Sequence, residues 1–169
     1  LLVLQPSIDI YRLMAAERKW HVSPIPTLGN DSSVVATRLL RSLADSPSEL
    51  MPVVLAASPA NPTGWIFEGS DIQTLGAALS ETGGVLVLDH CFQTSGIHFG
   101  VRKVPSIWDD SLALECEWIG LWDTGKTLGL FGKKSGLIVP SSAVVSEALD
   151  DSIDVLQGEV DEDLLQNLA

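Results

Sequence analysis

Short runs of Val, Ile and Leu alternate along the chain with stretches in which apolar residues recur every three or four positions. That alternation predicts strands separated by helices, hence an α/β domain on a largely parallel sheet. Residues 1–4 read as a strand ended by Pro6. Residues 8–19 read as a helix with Ile8, Tyr11, Met14, Ala15 and Arg18 at helical spacing and Ser7 as a cap. A second helix is expected over 31–43, with Val34, Val35, Leu39 and Leu43 on one stripe. Residues 52–57 form a strand that stops at Ser58-Pro59, and 70–80 a helix closed by Gly83-Gly84. The four apolar residues 85–88 predict a strand buried on both faces. Further strands are expected over 112–121 and 137–139, separated by a loop holding Gly125, Gly129, Gly132 and Gly136. Residues 141–149 read as a helix, and 150–169 as a helical or frayed acidic tail.

Composition narrows the class. In 169 residues, 46% are hydrophobic and 19% charged, enough for one domain with a substantial core and too apolar for a disordered acidic segment. A net charge of −12 argues against nucleic acid or an anionic membrane as partner, since phosphate surfaces require clustered Lys and Arg. No apolar run reaches the roughly 18 to 20 residues needed to cross a bilayer. Cys91 and Cys116 are too few for a disulfide framework, and His21, His90 and His98 lack metal-ligand spacing, so no metal is expected. The start, Leu-Leu-Val-Leu-Gln-Pro, has neither a basic segment nor a cleavage site and reads like a strand entered midway. The expectation is a piece of a longer, cytoplasmic chain.

One motif is conspicuous and misleading. Gly120-Leu-Trp-Asp-Thr-Gly125-Lys126-Thr127 satisfies the phosphate-cradling pattern G-x-x-x-x-G-K-[ST]. That reading requires a helix opening at Lys126-Thr127, yet Gly129 and Gly132 follow at once and make a poor first turn. Trp122 and Asp123 would also sit inside a cradle built for an anion. A nucleotide-binding loop is therefore not expected.

Three other segments belong together. Ser58-Pro-Ala-Asn61-Pro62-Thr-Gly64 follows a strand; Val85-Leu-Val-Leu-Asp89-His-Cys91-Phe92 ends a strand on a carboxylate; Thr124-Gly-Lys126 through Lys133-Lys134-Ser-Gly136 puts a lysine in a glycine-rich loop. In open α/β sheets ligands bind at the carboxyl ends of strands, where all three project. Their order and spacing resemble the fold-type I, pyridoxal-phosphate-dependent aminotransferases of classes I and II, whose motifs run N-P-T-G, D-x-[AC]-Y and [ST]-x-[ST]-K-x-x-x-x-G-x-[RK]-x-G. Pro6-Ser-Ile-Asp-Ile-Tyr11 is similar to that family's P-x-Y-x-x-Y helix start.

The resemblance implies a three-layer αβα sandwich, with residues 1–150 as a partial cofactor-binding large domain and 151–169 as the start of a helical connection toward a small domain. The family's phosphate loop and ring-stacking aromatic would precede Leu1, and its substrate-carboxylate arginine would follow Ala169. By the same resemblance Lys126 forms the Schiff base with the cofactor aldehyde and then carries protons. Asp89 pairs with the pyridine nitrogen, Asn61 donates to the phenolic oxygen, Cys91 lies against the ring face and Lys134 binds the phosphate. Lys126 and Asp89 are thus the expected catalytic residues. The substrates implied are an amino acid and a 2-oxo acid, in a homodimer. Other chemistry at the amino acid's α-carbon (decarboxylation, elimination, oxidation) and a weakened relative acting as a binding subunit stay open. Three positions depart from the pattern: Phe92 replaces a Tyr donor to the phenolic oxygen, Asp123 replaces a Ser or Thr phosphate ligand, and Lys134 stands where Arg is usual.

Overall fold

A computed structural model describes residues 1–93, 113–127, 129, 132 and 135–153. The elements run β1 (Leu2–Gln5), α1 (Ile10–Glu17), β2 (Ser23–Pro26), α2 (Ser32–Ala44), β3 (Val53–Ala57), α3 (Gly69–Thr82), β4 (Val85–Asp89), β5 (Glu117–Asp123), a single helical turn α4 (Thr124–Thr127), β6 (Gly136–Pro140) and α5 (Ala143–Ile153). The six strands form one sheet in the order β2-β1-β3-β4-β5-β6, parallel throughout except for β6, which runs antiparallel to β5. The α/β class and mostly parallel sheet are those expected from the alternation of periods.

The core lies between the sheet and the pair α2 and α3. Val54 and Ala56 of β3 and Leu86 and Leu88 of β4 are fully buried there against Val35, Leu39, Ile72, Leu75 and Leu79. Each such Leu contributes roughly 1.5–3 kcal/mol by leaving water. Of the stripe expected on α2, Val35, Leu39 and Leu43 are inward, whereas Val34 faces solvent. Burial on β4 alternates, with Val85 and Val87 only half-buried on the other face. Gly83 ends α3 in the left-handed conformation, at φ +63°. At Gly84 a side chain would meet Leu79 and the Pro52 carbonyl within 3 Å, so only glycine lets β4 start there.

Several boundaries differ from expectation for local reasons. The first helix begins at Ile10 rather than at 8, because Ser7 is engaged with Gln5 instead of capping: Gln5 Nε2 donates to Ser7 Oγ (2.8 Å) and Ser7 N to Gln5 Oε1 (3.3 Å). Only Ala15 of α1 is buried; Met14, Ile10 and Leu13 are exposed. The strand expected over 112–121 is β5, starting later: among its described residues, Leu114 and Cys116 pack on the core from irregular backbone. β2 was not expected at all, since its sequence is Ser-Pro-Ile-Pro. It lies at the sheet edge, where Ser23 N and Thr27 N donate to Leu1 and Gln5 of the β1 segment (2.9 and 2.7 Å). Pro24 and Pro26 fall on the alternate positions, whose N–H groups would point away from β1, so the missing donors cost no ladder bond.

Candidate cofactor site

At the carboxyl ends of β3, β4 and β5 a cleft of about 130 Å³ collects Asn61, Asp89, Cys91 and Lys126 on one set of walls, with Tyr11, Phe92 and Asp123 beside them. Four of the five residues expected at the site from sequence thus share one space. Lys134 lies outside the described residues. Larger cavities lie elsewhere among the described residues: about 610 Å³ at the opposite end of the sheet around Trp20, Leu50 and Met51, about 520 Å³ beside the starts of α2 and α3, and about 320 Å³ between Gly83-Gly84 and the start of β5. None of the three gathers an amine, an amide and a carboxylate of the kind found here, so size does not locate the chemistry.

Asp89 is the last residue of β4 and is pinned from both sides by the sheet. Its carbonyl accepts from Ser58 N (3.0 Å), and the next amide, His90 N, donates to Leu121 O (2.8 Å). Its carboxylate is held as firmly: Tyr11 Oη donates to Oδ2 and Cys91 N to Oδ1 (2.9 Å). Burial, then the Asp89 bond and charge, raise the Tyr11 phenol well above its ordinary value, so it remains a neutral donor. The same causes push the Cys91 thiol up to about 12, which makes it a small apolar wall and not a nucleophile.

Asn61 is carried by a turn that the sequence closes tightly. Gly64 N donates to Ala60 O (2.7 Å), Ala60 N to Trp65 O (2.8 Å), and the fully buried Ser58 Oγ accepts from Phe67 N (3.0 Å). Gly64 has φ +69°, a conformation that favours glycine and explains the final letter of Asn-Pro-Thr-Gly. The turn is tied to the segment leading into α2 through Trp65 Nε1, which donates to Asn30 O (3.0 Å).

Lys126 sits on α4, directly after β5. Its ammonium lies 5.2 Å from the Phe92 ring centroid, within cation–π range. Asp123 accounts for the shape of this turn: its Oδ1 accepts from Gly125 N and from Lys126 N (3.3 Å), as an N-terminal cap does. The carboxylate that departs from the family pattern is therefore spent on the turn carrying the lysine. Across the loop, Thr124 N donates to Ser135 O and Ser135 N to Thr124 Oγ1 (3.0 and 2.9 Å). The same geometry disposes of the nucleotide-loop pattern. Gly120–Asp123 lie in strand β5, the helical turn ends at Thr127, and Gly129 is left-handed at φ +72°. Among the described residues no group of three or more His, Cys, Asp or Glu is placed to hold a metal, and no helix is long and apolar enough to cross a membrane.

Behind the cleft His90 is fully buried, its ring 5.0 Å from that of Trp122, and neither ring nitrogen has a hydrogen-bond partner among the described residues. Burial lowers its pKa from 6.5 to about 4, against smaller opposing effects of the Ser58 backbone and Asp89. Between those values the unfolded chain binds the proton and the folded one does not. Stability is therefore intact above pH 6.5 and is lost as pH falls toward 4, by about 3 kcal/mol in total. Urea unfolding of the wild type should show that loss, and His90→Gln should flatten it; equal slopes for the two proteins would place the acid sensitivity elsewhere.

The sequence matches the profile of the aminotransferase class I and II family over residues 2–155, and the chain belongs to that family. No curated relative matches it significantly. Among solved structures it is similar to cystalysin from Treponema denticola, whose crystals contain pyridoxal 5′-phosphate (TM-score 0.71, 17% identity, 94% of this chain and 40% of that one). It is also similar to N-succinyldiaminopimelate aminotransferase from Mycobacterium tuberculosis (0.65, 18%, 86% and 36%) and to an aspartate aminotransferase double mutant from Thermus thermophilus (0.63, 17%, 82% and 34%). At these identities the likeness is one of fold. The chain spans about two fifths or less of the length of these structures.

The cofactor of this family is pyridoxal 5′-phosphate, and the cleft fits its ring. An oriented carboxylate, an amide and a primary amine surround a space otherwise walled by Ile8, Ala57, Cys91 and Phe92. That donor set matches a flat heterocycle with one basic nitrogen, one phenolic oxygen and one aldehyde. Sequence reasoning placed Tyr11 in a family-like helix start but gave it no role. The signal was that helix start itself, which puts position 11 in the first turn of α1 at the carboxyl end of β1.

Proposed function

We propose that this chain is the cofactor-binding part of a cytoplasmic, homodimeric aminotransferase that moves an amino group between an amino acid and a 2-oxo acid. The observation that carries this reading is the convergence of Asn61, Asp89 and Lys126, from three different strand ends, on one cleft. Pyridoxal phosphate, when bound, supplies the electron sink for bond breaking at the α-carbon. Lys126 Nζ is the primary amine that would hold the cofactor at its aldehyde carbon, with water as the leaving group, and it would carry the proton at the substrate's α-carbon. Asp89 would hold a proton on the ring nitrogen through a charge-assisted hydrogen bond. Asn61 would donate its amide to the phenolic oxygen. Cys91 and Phe92 would exclude water from the ring, and Lys134 would supply a point charge for the phosphate.

A second reading draws on Phe92, which offers no hydroxyl to the phenolic oxygen and instead carries the Lys126 ammonium on its face. It describes a relative that binds the cofactor, or uses it for another reaction at the α-carbon, without transamination. One titration separates the two. The full-length protein is loaded with pyridoxal phosphate until its visible absorption band saturates, then exposed to a panel of amino acids. Conversion to pyridoxamine phosphate with release of the 2-oxo acid is the expected result. A band that survives every amino acid supports the binding-only reading, and absence of any band refutes both.

A further inference from the structure

We propose that Asp123 selects the substrate of the cleft, and that this substrate is an amino acid with a cationic side chain, an ammonium or a guanidinium. The proposal rests on the functional reading above and names the substrate class of that same site. Asp123 caps the turn of Lys126 with one oxygen only: Oδ1 accepts from the amides of Gly125 and Lys126, which occupies both of its lone pairs. Among the described residues none donates to Oδ2. The side chain is half-buried and lines the same cleft as Asn61, Asp89 and Lys126. Its charge reaches the wall of that cleft, where it adds to burial and to Asp89 in raising the Cys91 thiol.

Elimination identifies the missing donor. In the open cleft water serves Oδ2, but a bound ring displaces water, and a carboxylate left half-buried without a donor is unfavourable. On the assignments above, the cofactor's ring nitrogen belongs to Asp89 and its aldehyde carbon to Lys126. Its phenolic oxygen and phosphate are acceptors, which a carboxylate repels. The donor therefore comes from the substrate. The α-amino nitrogen of an amino acid is committed to the aldehyde carbon, and the α-carboxylate is an anion, so the donor is on the side chain. A charged donor is favoured over a neutral one because charge-assisted hydrogen bonds are roughly twice as strong. An acidic side chain meets like charge instead, which specific sites use to exclude the wrong ligand. Lys126 is the one cation among the described residues lining the cleft, and its amine is the cofactor's attachment point.

The test loads the full-length protein with pyridoxal phosphate and titrates it with L-arginine, L-lysine, L-citrulline, L-norleucine and L-glutamate. The apparent dissociation constant of each is read from the change in the visible band. Citrulline has nearly the shape of arginine without its charge, and norleucine is the uncharged counterpart of lysine. Arginine or lysine should bind about tenfold or more tightly than its counterpart, the worth of one hydrogen bond between charged groups, and glutamate should bind weakest. Asp123→Asn keeps a carbonyl oxygen for the cap and removes the charge. It should bring the ratio close to one by weakening the cation, while pyridoxal phosphate itself binds no more weakly than to the wild type. A wild-type ratio near one for both pairs, or a preference for glutamate, overturns the proposal and leaves the functional reading in place. A ratio that survives in Asp123→Asn also overturns it, because the charge is then read by another group. If no amino acid changes the band, the functional reading has failed and the proposal falls with it. The wild-type ratios decide alone should Asp123→Asn not fold.

Discussion

Lys126→Ala abolishes the borohydride-reducible adduct that the wild-type protein forms with pyridoxal phosphate. This is the largest effect expected of any single substitution, because it removes the reacting atom and not merely a neighbour of it. Lys126 is the lysine that lines the cleft holding Asn61 and Asp89, and its turn is capped by Asp123 so that the side chain leaves the end of β5 in a fixed direction. A primary amine is the group that bonds to an aldehyde, and borohydride makes that bond permanent and visible as a mass increment on one peptide. Alanine removes the nucleophile while leaving the backbone bonds of α4 intact, so the variant should fold and still bind the cofactor non-covalently. Peptide mapping decides the matter. An adduct of wild-type yield that persists in Lys126→Ala, carried on Lys133 or Lys134, would move the reactive lysine into the following loop and overturn the assignment.

How much of this could be read before the structure differs between fold and site. β1, α2, β3, α3 and β4 were legible because each is long or strongly patterned, and β1, β3 and α3 are stopped by Pro or Gly, at Pro6, Ser58-Pro59 and Gly83-Gly84. β2 was not, because two prolines in four residues argue locally against a strand. The edge position that makes them harmless is a property of the assembled sheet. The first helix was set too early because Ser7 looked like a cap, whereas its hydroxyl is taken by Gln5, a partner that appears only when the turn forms. At the site, Asn61, Asp89 and Lys126 were legible because strand ends in a parallel sheet point the same way, so spacing along the chain translates into proximity. Tyr11 was illegible as a partner of Asp89 because no local rule joins residues on separate strand–helix units. The departure at Asp123 looked like an opposing charge from sequence, and only the turn geometry shows that its oxygen serves the amides of Gly125 and Lys126.

Asp89 is where chemical and structural roles can be separated by choice of substitution. Asp89→Ala and Asp89→Asn should both lower transamination by about a hundredfold or more, the range lost when one preorganised electrostatic partner is removed from an active site. The argument is one of charge: only a carboxylate keeps a proton on the ring nitrogen, and without that proton the α-carbon's electrons have a weaker sink. Stability should divide the two variants. Alanine leaves the Tyr11 hydroxyl and the Cys91 amide without their acceptor, at a cost of about 1–3 kcal/mol for each group that stays out of reach of water. Asparagine keeps one carbonyl oxygen able to accept from one of them, so its melting temperature should fall less. The expected pattern is therefore equal loss of turnover with unequal loss of stability, measured by single-turnover kinetics and thermal denaturation of the same preparations. Turnover within twofold of wild type in Asp89→Asn would show that the hydrogen bonds matter and the charge does not, and would make Asp89 a structural residue. Turnover that tracked stability across both variants would point the same way, since a residue that only holds the cleft together loses activity in proportion to the fold it loses.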